Sequence, residues 1–205
     1  MSDIGAQINH FIRHRRRVAI ALATGAVVLV VIIILVATDR YPIMVVNGAL
    51  ISARRFEQNF ASAAVYRDNL VRSNEGSQET VEALQRVTFE DLGAGVLDQL
   101  VAAVLVDRGA RREVGSDLPG LVHGKIDEYG NDPEIQRGVQ TLYGMGYADF
   151  RDEVLVPQAE RDILAGRLFL RGQDIEQWLA GERQQASVYV LSSRFRWDGE
   201  KVVAQ

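Results

Sequence analysis

The longest apolar stretch of the chain runs from Val18 to Thr38 and contains no charged residue. An α-helix of about 20 such residues crosses the ~30 Å hydrocarbon core of a bilayer. A buried core helix of this length would normally carry a polar stripe. A cleavable signal peptide has a shorter apolar stretch and an A-x-A-like exit, whereas this one ends Val36-Ala37-Thr38-Asp39. The pattern therefore predicts an uncleaved transmembrane signal anchor over 18–38.

Beyond the anchor, apolar side chains recur at helical spacing between clear breaks, which predicts a mainly α body. Arg54–Ser73 and, more weakly, Glu79–Thr88 show this pattern. Phe89 to Glu113 is the most apolar segment of the body and covers more than one stripe, so we expect it to be the central helix. The remaining predicted signals are a break at 74–77, an N-cap at Ser116, an N-cap and first helical residue at Asp132-Pro133, a stop at Gly144–Gly146, a helix over 147–171 kinked at Pro157, and a helix over 174–185.

Short β segments flank the helices at both ends of the body. The first, 43–51, places Asn47-Gly48 between two apolar runs, and this dipeptide favours a type I′ hairpin turn. The second, 187–204, is β-branched and aromatic and turns at Asp198-Gly199. Isolated hairpins are marginally stable in water, so we expect the two ends to pair into one small sheet. The predicted fold class is mainly α, with one N-terminal transmembrane helix and a helical domain closed by a small β-sheet.

Charge around the apolar span predicts its orientation. Four arginines precede it and one follows it closely: Arg13, Arg15, Arg16 and Arg17 before it, and Arg40 after it. By the positive-inside rule the four form a topology signal, so residues 1–17 are a cytoplasmic basic tail and residues 39–205 lie outside the cytoplasm. The same arginines are suited to contact anionic lipid headgroups.

The charge and the cysteine content of the chain limit the classes of partner and of site that the body can have. Removing Asp3 and the four tail arginines from the 27 acidic and 23 basic side chains leaves 26 and 19, a net charge of −7. Such a balance argues against nucleic acid as a partner and against membrane-surface binding by overall charge. The chain has no cysteine, which excludes disulfides, thiolate metal sites and a cysteine nucleophile.

Four motifs then occur in the order typical of one family. They are Val46–Ser52 (VNGALIS) followed by Arg55-Phe56-Glu57, Val96–Val101 (VLDQLV), Val114–Asp117 (VGSD), and Leu142-Tyr143-Gly144 with Phe150, Glu153-Val154-Leu155 and Pro157. Over residues 43–180 this order resembles the N-terminal helical domain of SurA-, PrsA- and PpiD-type folding factors. The chain departs from the family pattern at Met145, where Trp is common, and at Gly146, where Ser or Thr is more usual.

The resemblance implies a membrane-anchored extracytoplasmic chaperone, a holdase in the cytoplasmic membrane of a bacterium. Its implied partners are unfolded or nascent secreted and membrane proteins and the bilayer, and not nucleic acid. Many relatives carry a parvulin-type peptidyl-prolyl isomerase domain, but the tail 187–205 is too short for that fold. We therefore expect no enzyme activity and no cofactor. The alternative is a scaffold subunit of a membrane protein complex, which would use the same fold to hold one fixed partner.

Client-binding candidates cluster around the predicted glycine turn: Tyr143, Met145, Tyr147 and Phe150. Methionine and aromatic side chains adapt to varied apolar partners, which suits a surface that must accept many clients. The same residue types also fill cores, and for Phe150 that alternative is favoured.

Candidate catalytic and metal-binding groups are sparse. His10 and His14 stand four residues apart, but they lack the glutamate of an H-E-x-x-H motif and lie beside the tail arginines. His123 fits a surface position better than a catalytic one. Asp149, Asp152 and Glu153 share a predicted helix with arginines and are interpreted as a solvated, ion-paired face. We expect no metal site.

Overall fold

The computed structural model describes residues 41–73, 78–130 and 132–205. The predicted span 18–38 and the break at 74–77 lie outside the described residues. So do the tail residues named above, which are His10, Arg13, His14, Arg15, Arg16 and Arg17. Among the described residues, no helix is long and apolar enough to cross a bilayer.

The described chain is mainly helical with small antiparallel sheets, as the sequence predicts. The helices are α1 (Ala53–Ser73), α2 (Gln78–Arg86), α3 (Phe89–Val114), α4 (Leu118–Gly130), α5 (Pro133–Tyr143), α6 (Tyr147–Phe150), α7 (Val156–Phe169) and α8 (Ile175–Gln185). A 3₁₀ turn, Gly115–Asp117, precedes α4, and a π-helical segment, Arg151–Leu155, joins α6 to α7. The strands are β1 (Pro42–Val46), β2 (Ala49–Ser52), β3 (Val188–Val190), β4 (Phe195–Trp197) and β5 (Val202–Ala204).

Side-chain caps explain the starts of α3, α5 and α8. Thr88 and Asp91 form a capping box at α3, in which the Thr88 hydroxyl accepts from the Asp91 amide at 3.0 Å and the Asp91 carboxylate accepts from the Thr88 amide at 3.2 Å. Asp132 and Asp174 accept from the first amides of α5 and α8 in the same way, as predicted for Asp132. The predicted cap at Ser116 is wrong, because that residue lies inside the 3₁₀ turn and α4 begins only at Leu118.

The helix predicted over 147–171 is interrupted where a kink was expected. Pro157 has no N–H to donate to the preceding turn, and its ring crowds the carbonyl four residues earlier. The chain relieves this with the wider π-helical turn, in which the Val156 amide bonds to the Arg151 carbonyl. The π-helical segment brings Glu153 within ion-pairing distance of α1.

The predicted pairing between the two ends of the body is confirmed. β1 pairs antiparallel with β2 on one side and with β3 on the other, with Val45 opposite both Leu50 and Tyr189. Asn47 and Gly48 adopt positive φ angles of 50° and 86° in the intervening turn. The prediction of one sheet is wrong, because β4 and β5 form a separate two-stranded sheet around the predicted Asp198-Gly199 turn.

The main core surrounds α3, which confirms its predicted central position. Met44, Val46 and Ile51 of the sheet, Leu97 and Val101 of α3, and Leu164 of α7 are all completely buried. α7 and α8 approach α3 closely because Gly109 carries no side chain there, since a Cβ at that position would lie 2.5 Å from the Trp178 ring.

A polar contact joins α3 to both α8 and the C-terminal hairpin. The Arg183 guanidinium donates to both Asp98 carboxylate oxygens, at 2.7 and 2.9 Å. The Val202 amide donates to the same carboxylate at 3.2 Å. Bidentate arginine–carboxylate pairs fix geometry as well as adding stability, so this contact holds the C-terminal hairpin in register on α3.

Candidate functional site

The structure divides the four predicted client-binding residues into two groups. Met145 and Phe150 are each only 9% exposed and form a second small core with Val139. The chain reverses at Gly144, whose φ is 66°, and this turn brings both side chains against α5. The core alternative favoured for Phe150 is therefore confirmed, and Met145 is buried with it; a role of either residue in client binding stays a prediction. Tyr143 and Tyr147 are half-buried and pack against the same cluster.

Partly exposed apolar side chains of α1 and α5 lie beside this second core. Tyr66 of α1 stacks on Tyr143 of α5 with ring centroids 5.1 Å apart and an angle of 3° between the planes. Val65 lies beside them, and Leu142 is 46% exposed. We call Val65, Tyr66, Leu142 and Tyr143 the aromatic patch. Exposed contiguous apolar side chains of this kind mark interaction surfaces more often than isolated ones do.

Hydrogen bonds hold the aromatic patch in shape. The Asn69 side-chain amide donates to the Thr141 and Leu142 carbonyls, at 2.9 and 3.1 Å. These carbonyls belong to the last turn of α5, where no helical partner is available to them. α1 therefore caps the end of α5 and keeps Tyr143 stacked on Tyr66.

A shallow pocket of about 270 Å³ opens beside the aromatic patch. Val65, Tyr143 and Met145 supply its apolar lining, and Gln58 and Asp149 are polar groups on its wall. Burial, and secondarily the nearby Tyr66 phenol, raises the pKa of Tyr143 above its usual value. The Tyr143 hydroxyl is protonated at neutral pH, as an ordinary tyrosine also is, so the raised pKa leaves its charge there unchanged.

A second depression, about 410 Å³, lies between α1, α3 and the π-helical segment. Glu153 accepts from Arg55 at 2.8 Å and from the Asn59 amide at 3.0 Å on its polar wall. Val96 and Leu100 line its apolar wall and are nearly buried. The prediction that Glu153 belongs to a solvated, ion-paired face is right about the ion pair and wrong about the solvation. Its side chain is mostly buried and joins the π-helical segment to α1.

The other candidate polar groups are structural in the described residues. His123 pairs with Asp127 at 2.8 Å along the exposed face of α4, an ordinary helical spacing. Asp152 pairs with its neighbour Arg151 at 3.2 Å. Within the described ranges, no group of histidine and acidic side chains is arranged to hold a metal ion.

Sequence reasoning missed three members of the aromatic patch, which are Val65, Tyr66 and Leu142. Tyr66 follows Ala63 by three residues, so helical periodicity alone assigns it to the inner stripe of α1. Only the crossing of α1 over α5 shows that its ring stacks on Tyr143 at the surface. That crossing is a tertiary contact, and single-sequence spacing does not report it.

The chain was compared with protein-family models, curated proteins and solved structures, and none of these matches it. The resemblance to SurA-type folding factors therefore rests on the motifs quoted above and remains a prediction.

Proposed function

We propose that this chain is a membrane-anchored holdase whose helical body binds exposed apolar segments of unfolded or nascent proteins outside the cytoplasm. The aromatic patch is the observation that carries the proposal. Its side chains are half-exposed and uncharged, and polar groups adjoin the part formed by Val65 and Tyr143. Those properties suit an apolar segment of no fixed sequence better than they suit a reacting group.

The size of the aromatic patch fits reversible holding. Apolar burial contributes about 25 cal/mol per Å², so a contact of a few hundred Å² gives only several kcal/mol. The lost freedom of an ordered client segment offsets much of that gain. Binding should therefore be weak and brief, which allows a client to be released and to fold.

The location in the proposal comes from the sequence. The apolar span 18–38 and the four preceding arginines support a single pass through the cytoplasmic membrane of a bacterium, with the body on the outer side. A tethered holdase at that position would meet secreted and membrane proteins as they emerge.

The test is an aggregation assay with several unrelated, chemically denatured proteins. The body, residues 39–205, should slow their aggregation near stoichiometric ratio. Tyr66→Ser combined with Leu142→Ser should abolish most of that protection, because the double variant removes the two most exposed side chains of the aromatic patch. Its melting temperature should fall only slightly, since exposed substitutions typically change stability by about 0.5 kcal/mol.

Phe169→Ser combined with Leu170→Ser is the matched control, because these side chains are more exposed, at 79% and 77%, and belong to a different surface. This control should protect clients as well as the natural chain does. Selective co-purification with one partner, and no protection of unrelated clients, would favour the scaffold alternative. Turnover of a prolyl peptide would contradict the proposal that the chain is not an enzyme.

A further inference from the structure

The three-stranded sheet is apolar on both of its faces. Met44, Val46 and Ile51 on the inner face are completely buried against the core. Val45 stands opposite Leu50 on one side and Tyr189 on the other, so these three side chains form a row across the outer face. Leu50 is 68% exposed and Tyr189 is 64% exposed.

The row continues past the end of β3. The Leu191 amide donates to the Ile43 carbonyl at 2.8 Å, which prolongs the pairing with β1. Leu191 is 60% exposed and follows Tyr189 by two residues, so it shares the same face. We call Val45, Leu50, Tyr189 and Leu191 the outer sheet face. An antiparallel sheet with one buried face normally presents polar side chains on the other, and no side chain of the described residues covers this apolar face.

Charge around the outer sheet face differs from that of the whole body. Segments 41–56 and 186–197, which contain all three strands, have no acidic residue, although the body carries a net charge of −7. The same segments contain four arginines, of which Arg54, Arg194 and Arg196 are exposed. The overall charge, on which the expectation against membrane-surface binding rests, is therefore not the charge of these segments. An apolar face on strands that arginines flank in the sequence is complementary to an anionic lipid surface.

The position of the sheet in the sequence points to the same partner. The predicted span ends at Thr38 and β1 begins at Pro42. Three intervening residues extend at most about 14 Å at ~3.5 Å per residue step. An anchored chain would therefore hold β1, and with it the outer sheet face, close to the bilayer.

We infer that the outer sheet face lies on the anionic lipid headgroup surface of the membrane in which the chain is anchored. Tyr189 supplies an aromatic ring with a polar end, a combination favoured at the membrane–water interface. Leu50 and Leu191 supply the apolar contact, and the exposed arginines pair with lipid phosphates. The inference rests on the proposed anchored topology. It leaves the aromatic patch, on different elements, available to clients.

The absence of cysteine allows a direct test. Single variants Leu50→Cys, Tyr189→Cys, Phe169→Cys and Val28→Cys of the full chain are labelled with an environment-sensitive dye. They are reconstituted into vesicles of phosphatidylcholine, with or without phosphatidylglycerol. The vesicles contain quencher lipids at headgroup level for labels at residues 50, 189 and 169, and at the acyl-chain ends for the label at residue 28. Val28 lies in the middle of the predicted span, so quenching of its label reports whether the anchor is inserted.

Dyes at residues 50 and 189 should be quenched in the vesicles with phosphatidylglycerol, and the dye at the more exposed residue 169 should not. Replacing Arg194 and Arg196 with Gln should lower the equilibrium constant for surface contact, which is obtained from the quenched fraction, roughly fivefold for each arginine that meets the surface. Quenching at 28 without quenching at 50 and 189 would overturn the inference, as would equal quenching at 169.

Lack of quenching at 28 would remove the anchor and the inference together. Dye shielding at residue 50 that rises with protein concentration in detergent would assign the face to a second copy of the chain and overturn the inference. Shielding of the dye at residue 50 that only a denatured client produces would assign the outer sheet face to clients and would also overturn the inference. The aggregation assay with the Tyr66 and Leu142 variant gives its result independently, so failure here is distinguishable from failure of the proposed holdase function.

Discussion

Removal of residues 187–205 should unfold the whole helical body and not only its tail. The segment supplies β3, which pairs with β1, and it places Phe195 and Val202 in the core around α3. Loss of a buried Phe side chain alone costs about 3–5 kcal/mol, and a typical domain has only about 5–15 kcal/mol of total stability. The truncation also removes the Val202 amide from Asp98 and the Glu200 carbonyl from Arg183.

Thermal unfolding followed by circular dichroism is the measurement, on chains that begin at residue 39 and end at residue 186 or 205. The shorter chain should show no cooperative transition at room temperature or above. The control is Tyr189→Ser with Leu191→Ser, which changes the same segment at exposed positions and should melt close to the natural chain. Equal melting temperatures for the two lengths would show that the terminal pairing does not stabilise the helices.

Glu160→Gln should stabilise the protein at pH 8 and flatten its dependence on pH. Glu160 is 8% exposed on α7, where burial and then the nearby Asp107 charge and hydrogen bond raise its pKa from 4.5 to about 7. Arg111 and Arg55 oppose that shift only in part. The folded state therefore binds the proton more tightly than the unfolded chain does. The stability that Glu160 contributes is greatest below about pH 4.5 and is lost as the pH rises towards 7.

Between about pH 4.5 and pH 7, ionisation of Glu160 should lower the free energy of unfolding of the natural chain by about 2 kcal/mol, after an allowance for solvent screening. Urea unfolding at pH 5 and pH 8 measures the loss, and Glu160→Gln should remove most of it. Glu153→Gln is the contrasting variant, because Glu153 is ion-paired with Arg55 at 2.8 Å and its neutralisation should lower stability at pH 8. A Glu160→Gln protein less stable than the natural chain at pH 8 would contradict the assignment of a destabilising buried charge.

Local signals in the sequence were sufficient for most elements. Asn47-Gly48 and Asp198-Gly199 marked two real hairpin turns, because each dipeptide allows a backbone that few others adopt. The apolar excess of Phe89–Glu113 marked the central helix, because a helix surrounded by neighbours needs more than one apolar stripe.

Features that depend on tertiary contacts were not predictable in the same way. The second sheet packs against α3 through Phe195. The Phe195 ring lies so close to Gly93 of α3 that a Cβ on residue 93 would be 2.8 Å from it. The burial of Met145 and Phe150 follows from the turn at Gly144 that packs them against α5, and the partial exposure of Tyr66 follows from how α1 crosses α5. The sequence shows that such side chains are apolar and lie at helical spacing. It does not show which neighbouring element covers them.

The most direct measurement of client binding is site-specific photo-crosslinking to a denatured client. A photoreactive phenylalanine analogue replaces Tyr66 or Leu142 in the aromatic patch, and Phe169 or Leu50 outside it. Exposure alone predicts the strongest crosslinks at Phe169, which is 79% exposed against 46% for Leu142. Binding at the aromatic patch predicts the opposite order, with client adducts at 66 and 142 and few at 169 and 50. Client binding at the aromatic patch would be contradicted if adduct yields followed the exposed fraction of each position, or if no adduct formed at 66 and 142 with any of several clients.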